Sequence, residues 1–216
     1  MYDLHCHSLL SDGVLLPSEI AVRYLALGYK AIAITDHADY SNIEQVVNSI
    51  LEFTRHWPKT AKIKVLPGIE LTHLPLEQFK PLANYARKKG IKIIIGHGET
   101  LAEPVIKGTN IAALGADIDI LAHPGLISDD EVKLAKKKGI FLEVTARHGH
   151  RDTNPHVVQR ALKIGAKLIL NNDSHTPEDV ISPAELKRVG IKSGLSEKDI
   201  IAIYKEVKEF LEKEAL

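Results

Sequence analysis

The sequence predicts an α/β fold in which short parallel strands alternate with helices, closed as a barrel or open and doubly wound. Three observations predict it. One phrase, an amphipathic helix followed by a glycine and a short apolar run, recurs along the chain. The apolar runs are rich in Ile, Val and Leu and brief, as strands buried on both faces are. No Pro/Ser-rich linker or low-complexity tract divides the 216 residues, so residues 1–216 read as one domain with a sizeable core.

Taken in order, the opening strand spans about residues 2–7. The recurring phrase follows as "LALGYKAIAIT" at 25–35, "ARKKGIKIIIGH" at 86–97 and "AALGADIDILAH" at 112–123. It returns as "AKKKGIFLEV" at 135–144 and "LKIGAKLILN" at 162–171. Gly28, Gly90, Gly115, Gly139 and Gly165 suit the left-handed position that closes a helix. With "KIKVLPGIE" at about 62–70, seven strands are expected. Helix starts are marked by capping boxes at 128–131 ("SDDE") and 196–199 ("SEKD"), and Pro177 suits a first helical turn. A last helix, about 197–213, carries Ile200, Ile203, Tyr204, Val207 and Leu211 at helical spacing and is expected to pack on the layer of helices.

Composition narrows the function. Lys plus Arg and Asp plus Glu number 28 each, so no global basic surface exists to hold long nucleic acid. A nucleotide or short oligonucleotide stays open. No apolar run is long enough to cross a membrane, and the polar opening strand leaves no room for a signal peptide. One cysteine, Cys6, excludes an internal disulfide framework and fits a reducing cytoplasm. On a strand Cys6 faces away from its neighbours His5 and His7, so it reads as core.

The eleven histidines are not scattered. His5 and His7 lie at the end of the first strand, and Asp36 and His37 ("TDH") at the end of the second. Glu70 ("GIE"), His97 ("GHGE") and His123 ("AHPG") follow at the next three ends, then Glu143, then Asp173 and His175 ("NDSH"). Any one of these could be an ordinary loop residue. Together they place a metal-capable side chain at the C-terminal end of every expected strand, the face on which barrel enzymes assemble their sites. Imidazoles mixed with carboxylates and no thiolate suit Zn, Mn or Fe. The donors exceed one coordination sphere, so two or three divalent ions are expected, with Glu70, central in strand order, as the bridge.

"DLHCHS…SDG", "ITDH", "GIE", "GHGE", "AHPG" and "NDSH", in this order, resemble the PHP (polymerase and histidinol phosphatase) family, over residues 3 to about 180. The resemblance implies a distorted (β/α)7 barrel of the PHP type, similar to short single-domain members. It implies His5, His7, Glu70 and Asp173 around one ion, Glu70, His97 and His123 around a second, and Asp12, His37 and His175 around a third. Some members carry a histidine where this chain has Asp12. Asp3 is expected to accept a hydrogen bond from a ligand imidazole.

The implied activity is hydrolysis of a small phosphate monoester, histidinol-phosphate-like or nucleotide, by a metal-activated hydroxide. Asp12, His37 or His175 would protonate the leaving alkoxide. The loop "ARHGHRDTN" at 146–154 offers a phosphate clamp in Arg147, His148 and Arg151, with Arg147 its leading member; the plain alternatives are a solvated loop or an Arg147–Glu143 pair. His56, His73 and His156 fall outside the motifs and read as surface or packing residues. Two rival functions stand beside this one. An amidohydrolase-type C–N hydrolase also opens with His-x-His, but commonly bridges its ions with a modified lysine where this chain has Glu70. A non-catalytic PHP module would be expected to have lost ligands.

Overall fold

The computed structural model describes residues 1–214. Eight strands run parallel: β1 (Tyr2–Asp3), β2 (Ala31–Ile34), β3 (His37–Ala38), β4 (Lys64–Leu71), β5 (Ile93–His97), β6 (Ile120–Ala122), β7 (Phe141–Thr145) and β8 (Leu168–Asn171). They pair in the order β1-β2-β4-β5-β6-β7-β8, with β3 as a short continuation of the β2 edge against β4. The sheet nearly closes on itself. His7 N donates to Ser174 O at 2.8 Å and Asp173 N donates to His5 O at 3.0 Å, joining the first segment to the last. The result is an α/β barrel, the closed alternative of the two that alternation allows.

The helices α1 (Pro17–Ala26), α2 (Ile43–His56), α3 (Phe79–Lys89), α4 (Thr109–Gly115), α5 (Asp129–Lys138), α6 (Asn154–Ile164), α7 (Pro183–Lys192) and α8 (Glu197–Glu214) surround the sheet. Strand residues such as Ile32, Ile34, Ile69, Ile94 and Leu142 are fully buried. Each side chain of this size removed from water contributes about 1.5–3 kcal/mol. Ser128 caps α5 reciprocally with Glu131, and Ser196 and Asp199 make the equivalent bonds at the start of α8. Ile200, Ile203, Val207 and Leu211 of α8 are buried against the barrel and Tyr204 is partly so, as the spacing predicts.

Three local expectations need correction. Gly28, Gly90, Gly139 and Gly165 are left-handed, but Gly115 is not; it is the last residue of α4, and the chain leaves through extended Ala116. The first strand is regular only over Tyr2–Asp3, with one further bridge at Cys6. There, side chains take the donors a ladder would use: Leu4 N donates to Asn171 Oδ1 and His5 N to Asp3 Oδ1. The second strand breaks between Ile34 and His37 because the buried carboxylate of Asp36 is turned to receive Ser8 N, Ser8 Oγ and Ser11 Oγ. Both interruptions lie where the barrel opens onto its polar end.

Candidate metal centre

The polar end of the barrel gathers all nine residues that the sequence proposes as metal ligands. His5 and His7, two apart on an extended segment, turn both rings into the barrel mouth and are 0% and 1% exposed. Glu70 enters from β4 and His97 from the tip of β5. His123 follows β6, and Asp173 and His175 follow β8. Asp12 comes from the β1–α1 loop and His37 from β3.

Among the nine, four overlapping groups have donor atoms close enough to share an ion: His5, His7 and Glu70; His5, His123 and Asp173; Glu70, His97 and His123; and His7, Asp12, His37 and His175. Donors held about 2.1 Å from one ion lie about 3–3.5 Å apart. The observed spacings match: His5 Nε2 is 3.3 Å and His7 Nε2 3.5 Å from Glu70 Oε2, and His7 Nε2 is 3.4 Å from Asp173 Oδ1. His37 Nε2 and His175 Nε2 lie 3.5 and 3.4 Å from Asp12 Oδ1. His123 Nε2 is 3.7 Å from both Glu70 Oε1 and Asp173 Oδ2. Glu70 belongs to two groups and presents a different oxygen to each, the geometry of a bridge.

Hydrogen bonding provides the test of fit. His5 Nε2, both nitrogens of His7 and both oxygens of Glu70 are buried and have no hydrogen-bond partner among the described residues. Burying such groups unpaired costs about 1–3 kcal/mol each, more when charged. Divalent cations meet that demand, and the imidazole–carboxylate donor set suits borderline metals.

Electrostatics separate the ring states. Burial, followed by the neighbouring rings of His37, His175 and His5, drives the His7 pKa well below its usual value, leaving a neutral ligand. Burial and His97 do the same for His123. At His5 burial opposes protonation, but the carboxylates of Asp173, Glu143 and Glu70 outweigh it and raise the pKa. Burial likewise opposes ionisation of Glu70, yet His5 and His37 hold its carboxyl well below the usual range. Asp12 is held low against its own partial burial by His175 and His37.

Around these donors a supporting shell departs from expectation. Asp3 does not touch a ligand ring; its carboxylate accepts from His5 N, Tyr24 OH and Asn172 N, a knot that fixes the backbone. Burial pushes its pKa up to about 7. The ring of His5 is held instead by Glu143, whose Oε1 accepts from His5 Nδ1 at 2.7 Å and from Asn171 Nδ2 at 2.9 Å. Glu143 Oε2 receives His123 N at 3.1 Å, so one carboxylate steadies two of the proposed ligands. Among the described residues, the non-glycine positions with positive φ are His73, His123 and Asp173, at 52°, 26° and 54°, and all three border this centre. Such backbone strain persists where the surroundings over-determine it.

The proposed clamp is only partly brought together. Arg147 Nη1 donates to Asp179 Oδ2 at 3.2 Å and makes no pair with Glu143. Asp179 also accepts from His175 N and Thr176 N, so Arg147 is tied to the loop that carries a proposed ligand. His148 is exposed. Arg151 lines a separate groove with Arg188 and Glu185, away from the donors. His73, expected to be incidental, stands at the rim of the centre with its Nε2 3.1 Å from Glu103. Glu103 escaped the sequence reading altogether. It sits in a loop with no motif, and only the fold brings it to His73, His97 and His150.

A sequence profile described as the PHP domain matches residues 3–123. The chain belongs to the PHP domain family. An uncharacterized protein of Methanocaldococcus jannaschii is 40% identical over 204 residues, which is 92% of each chain. Among solved structures, histidinol phosphate phosphatase of Lactococcus lactis, determined with zinc, L-histidinol and phosphate, superposes with a TM-score of 0.63. It is 17% identical, and the match covers 90% of this chain and 94% of that one. A chain of archaeal ribonuclease P, determined by cryo-EM with mature tRNA, gives a TM-score of 0.71 at 15% identity, covering 99% of this chain and 91% of that one. At such identities the likeness establishes a shared α/β barrel fold.

Proposed function

We propose that this PHP chain is a metal-dependent phosphoesterase that hydrolyses a small phosphate monoester. The observation that carries the reading is the sharing of Glu70 between two donor groups, one with His5 and His7 and one with His97 and His123. Such a centre suits paired ions. Divalent ions bound there would neutralise phosphoryl oxygens and bring a water molecule's pKa toward neutrality. Membership of the PHP family and the likeness to a histidinol phosphate phosphatase support the same chemistry.

The chain's own residues have definable parts. His5, His7, Glu70, His97, His123 and Asp173 are buried and form the floor. Asp12, His37 and His175 form the outer group, where the side chain of Asp12 is 56% exposed and reaches solvent. A cavity of about 440 Å³ opens there, lined by Asp12, His37, Asp39, Ser41, Thr72, His73 and Glu103. A phosphate ester entering it meets Asp12 and His37 first; His37, with His175 behind it, would hold or return a proton at the leaving oxygen, while Asp12, kept ionised by these two rings, would orient them. Arg147, braced by Asp179 beside the His175 loop, supplies the fixed positive charge that a phosphate dianion requires.

The ions are proposed as zinc, manganese or iron, two or three in number, and the location as cytoplasmic. No helix among the described residues is long and apolar enough to cross a membrane. The test is phosphate release by the purified protein with added Mn²⁺ across histidinol phosphate, nucleoside monophosphates and a short oligonucleotide. Asp173→Ala serves as control. Release that the control loses supports the reading, and the preferred ester names the substrate. Metal binding without release from any ester overturns it in favour of C–N bond hydrolysis.

A further inference from the structure

We propose that His73, Glu103 and His97 form an outer position for a divalent cation, from which an ion passes to the deep centre through His97. The donor atoms of these three residues lie close enough together to share one ion. His73 Nε2 and His97 Nε2 are 3.1 and 3.4 Å from the same oxygen, Oε2 of Glu103. The other oxygen, Oε1, lies 3.3 Å from Nε2 of the buried His150. His150 thereby turns the Glu103 carboxylate so that Oε2 faces the two remaining imidazoles. Two imidazoles and a carboxylate are donors that zinc and its neighbours accept.

His97 is the hinge of the argument. Its Nδ1 donates to Gly98 O at 3.0 Å, which leaves Nε2 as its one lone pair for a metal. His97 also belongs to the deep group with Glu70 and His123, and with Nδ1 donating, Nε2 is the nitrogen it has to offer there too. One lone pair serves one ion, so the outer and deep positions exclude each other at His97. An ion held outside by His73 and Glu103 reaches the deep position by keeping His97 and exchanging its other ligands.

Burial runs in the direction such a path needs. The His73 and Glu103 side chains are 48% and 38% exposed, whereas His97 and His123 are nearly covered. A buried multi-donor centre needs a way in from solvent, and hydrated divalent ions lose water most readily one ligand at a time. The outer position does not depend on the phosphoesterase reading, because it concerns metal alone.

The experiment uses the full chain, Zn²⁺ and two variants, His73→Ala and Glu103→Gln. Both residues lie outside the core, and thermal melting of each variant with metal bound checks that it folds. Zinc-soaked crystals of the unmodified protein are expected to show a partial anomalous peak between His73 Nε2 and Glu103 Oε2, absent in both variants. Stopped-flow loading of metal-stripped protein, followed with a chromophoric zinc indicator, is expected to slow several-fold in both variants while final zinc content is unchanged. A crystal whose deep position at His97 is only partly filled and that shows no outer peak overturns the proposal. So does an outer peak that persists in both variants, loading at an unchanged rate, or a loss of deep zinc that makes these residues part of the centre itself.

Discussion

Glu143 Oε1 accepts the Nδ1 proton of His5 at 2.7 Å, with both side chains fully buried. This bond fixes the tautomer of His5, leaving Nε2 free to face Glu70 and Asp173. Replacing the carboxylate by an amide keeps the shape and removes the charge that holds the ring. Glu143→Gln is therefore expected to weaken metal binding about 10–100-fold, the range for partners of ligand imidazoles. Competition with a chelator measures it, and wild-type affinity in the variant would falsify the orienting role.

Glu70→Ala removes the carboxylate common to two donor groups. Metal retention through a desalting column and phosphate release are both expected to fall to background. A variant that stays fully active, or retains the wild-type metal content, sinks the bridging role. Because Glu70 is buried among His5, His7 and His37, circular dichroism should accompany the assay.

Much of this centre was legible because its donors follow the strand ends, and strand ends are marked in sequence by the close of an apolar run. That is why His97, His123 and Glu70 were placed without a structure. Glu103 and His73 were not legible, since nothing in their loops fixes which neighbours they meet. Asp3 was misassigned for a related reason. Its position two residues before His5 predicts a shared face, but the carboxylate is claimed by Tyr24 and Asn172 from distant segments. The early end of the first strand and the break that sets off His37–Ala38 had no signal either, because side-chain acceptors on Asn171, Asp3 and Asp36 replace ladder bonds there. Periodicity sees the face a residue occupies and not the competitor for its donor.

Metal binding should release protons. At His37 burial opposes protonation, but Glu70 and Asp12 raise the pKa to about 10. His5 is raised as well, by carboxylates that outweigh its burial. Both rings are thus protonated in the ion-free chain at neutral pH, and a ligand nitrogen must be deprotonated. Affinity for Zn²⁺ or Mn²⁺ is expected to increase with pH up to about 10 and to weaken below neutrality. Titration calorimetry in buffers of different ionisation enthalpy reads the protons directly; a binding enthalpy that is the same in every buffer contradicts the assignment.

Gly125, in "AHPG", sits at φ 60° where a Cβ would stand 1.9 Å from Glu99 O. Alanine there meets both a left-handed backbone and a carbonyl that cannot move without disturbing the β5–α4 loop. Gly125→Ala is expected to destabilise the fold by at least about 2 kcal/mol. For a chain of this size that is a fall in Tm of roughly 4–8 °C. Calorimetry of metal-loaded protein provides the number, and an unchanged Tm means the loop re-forms around the methyl group.

Arg147 has two available roles, and kinetics separate them. Its Nη1–Asp179 bond braces the loop of His175, while the side chain remains partly exposed beside the proposed centre. If its guanidinium also meets the substrate phosphate, Arg147→Ala should raise KM about tenfold or more, in line with the loss of a charge-assisted bond worth about 1.5–3 kcal/mol. Lysine restores charge without the planar fork, so Arg147→Lys should recover only part of that loss. A brace alone predicts a different pattern: lower Tm and lower kcat in Arg147→Ala, the same pair of changes in Asp179→Asn, and KM unmoved in both. The expected result is the KM effect in Arg147→Ala with a Tm close to wild type, and the brace pattern would remove Arg147 from the phosphate site.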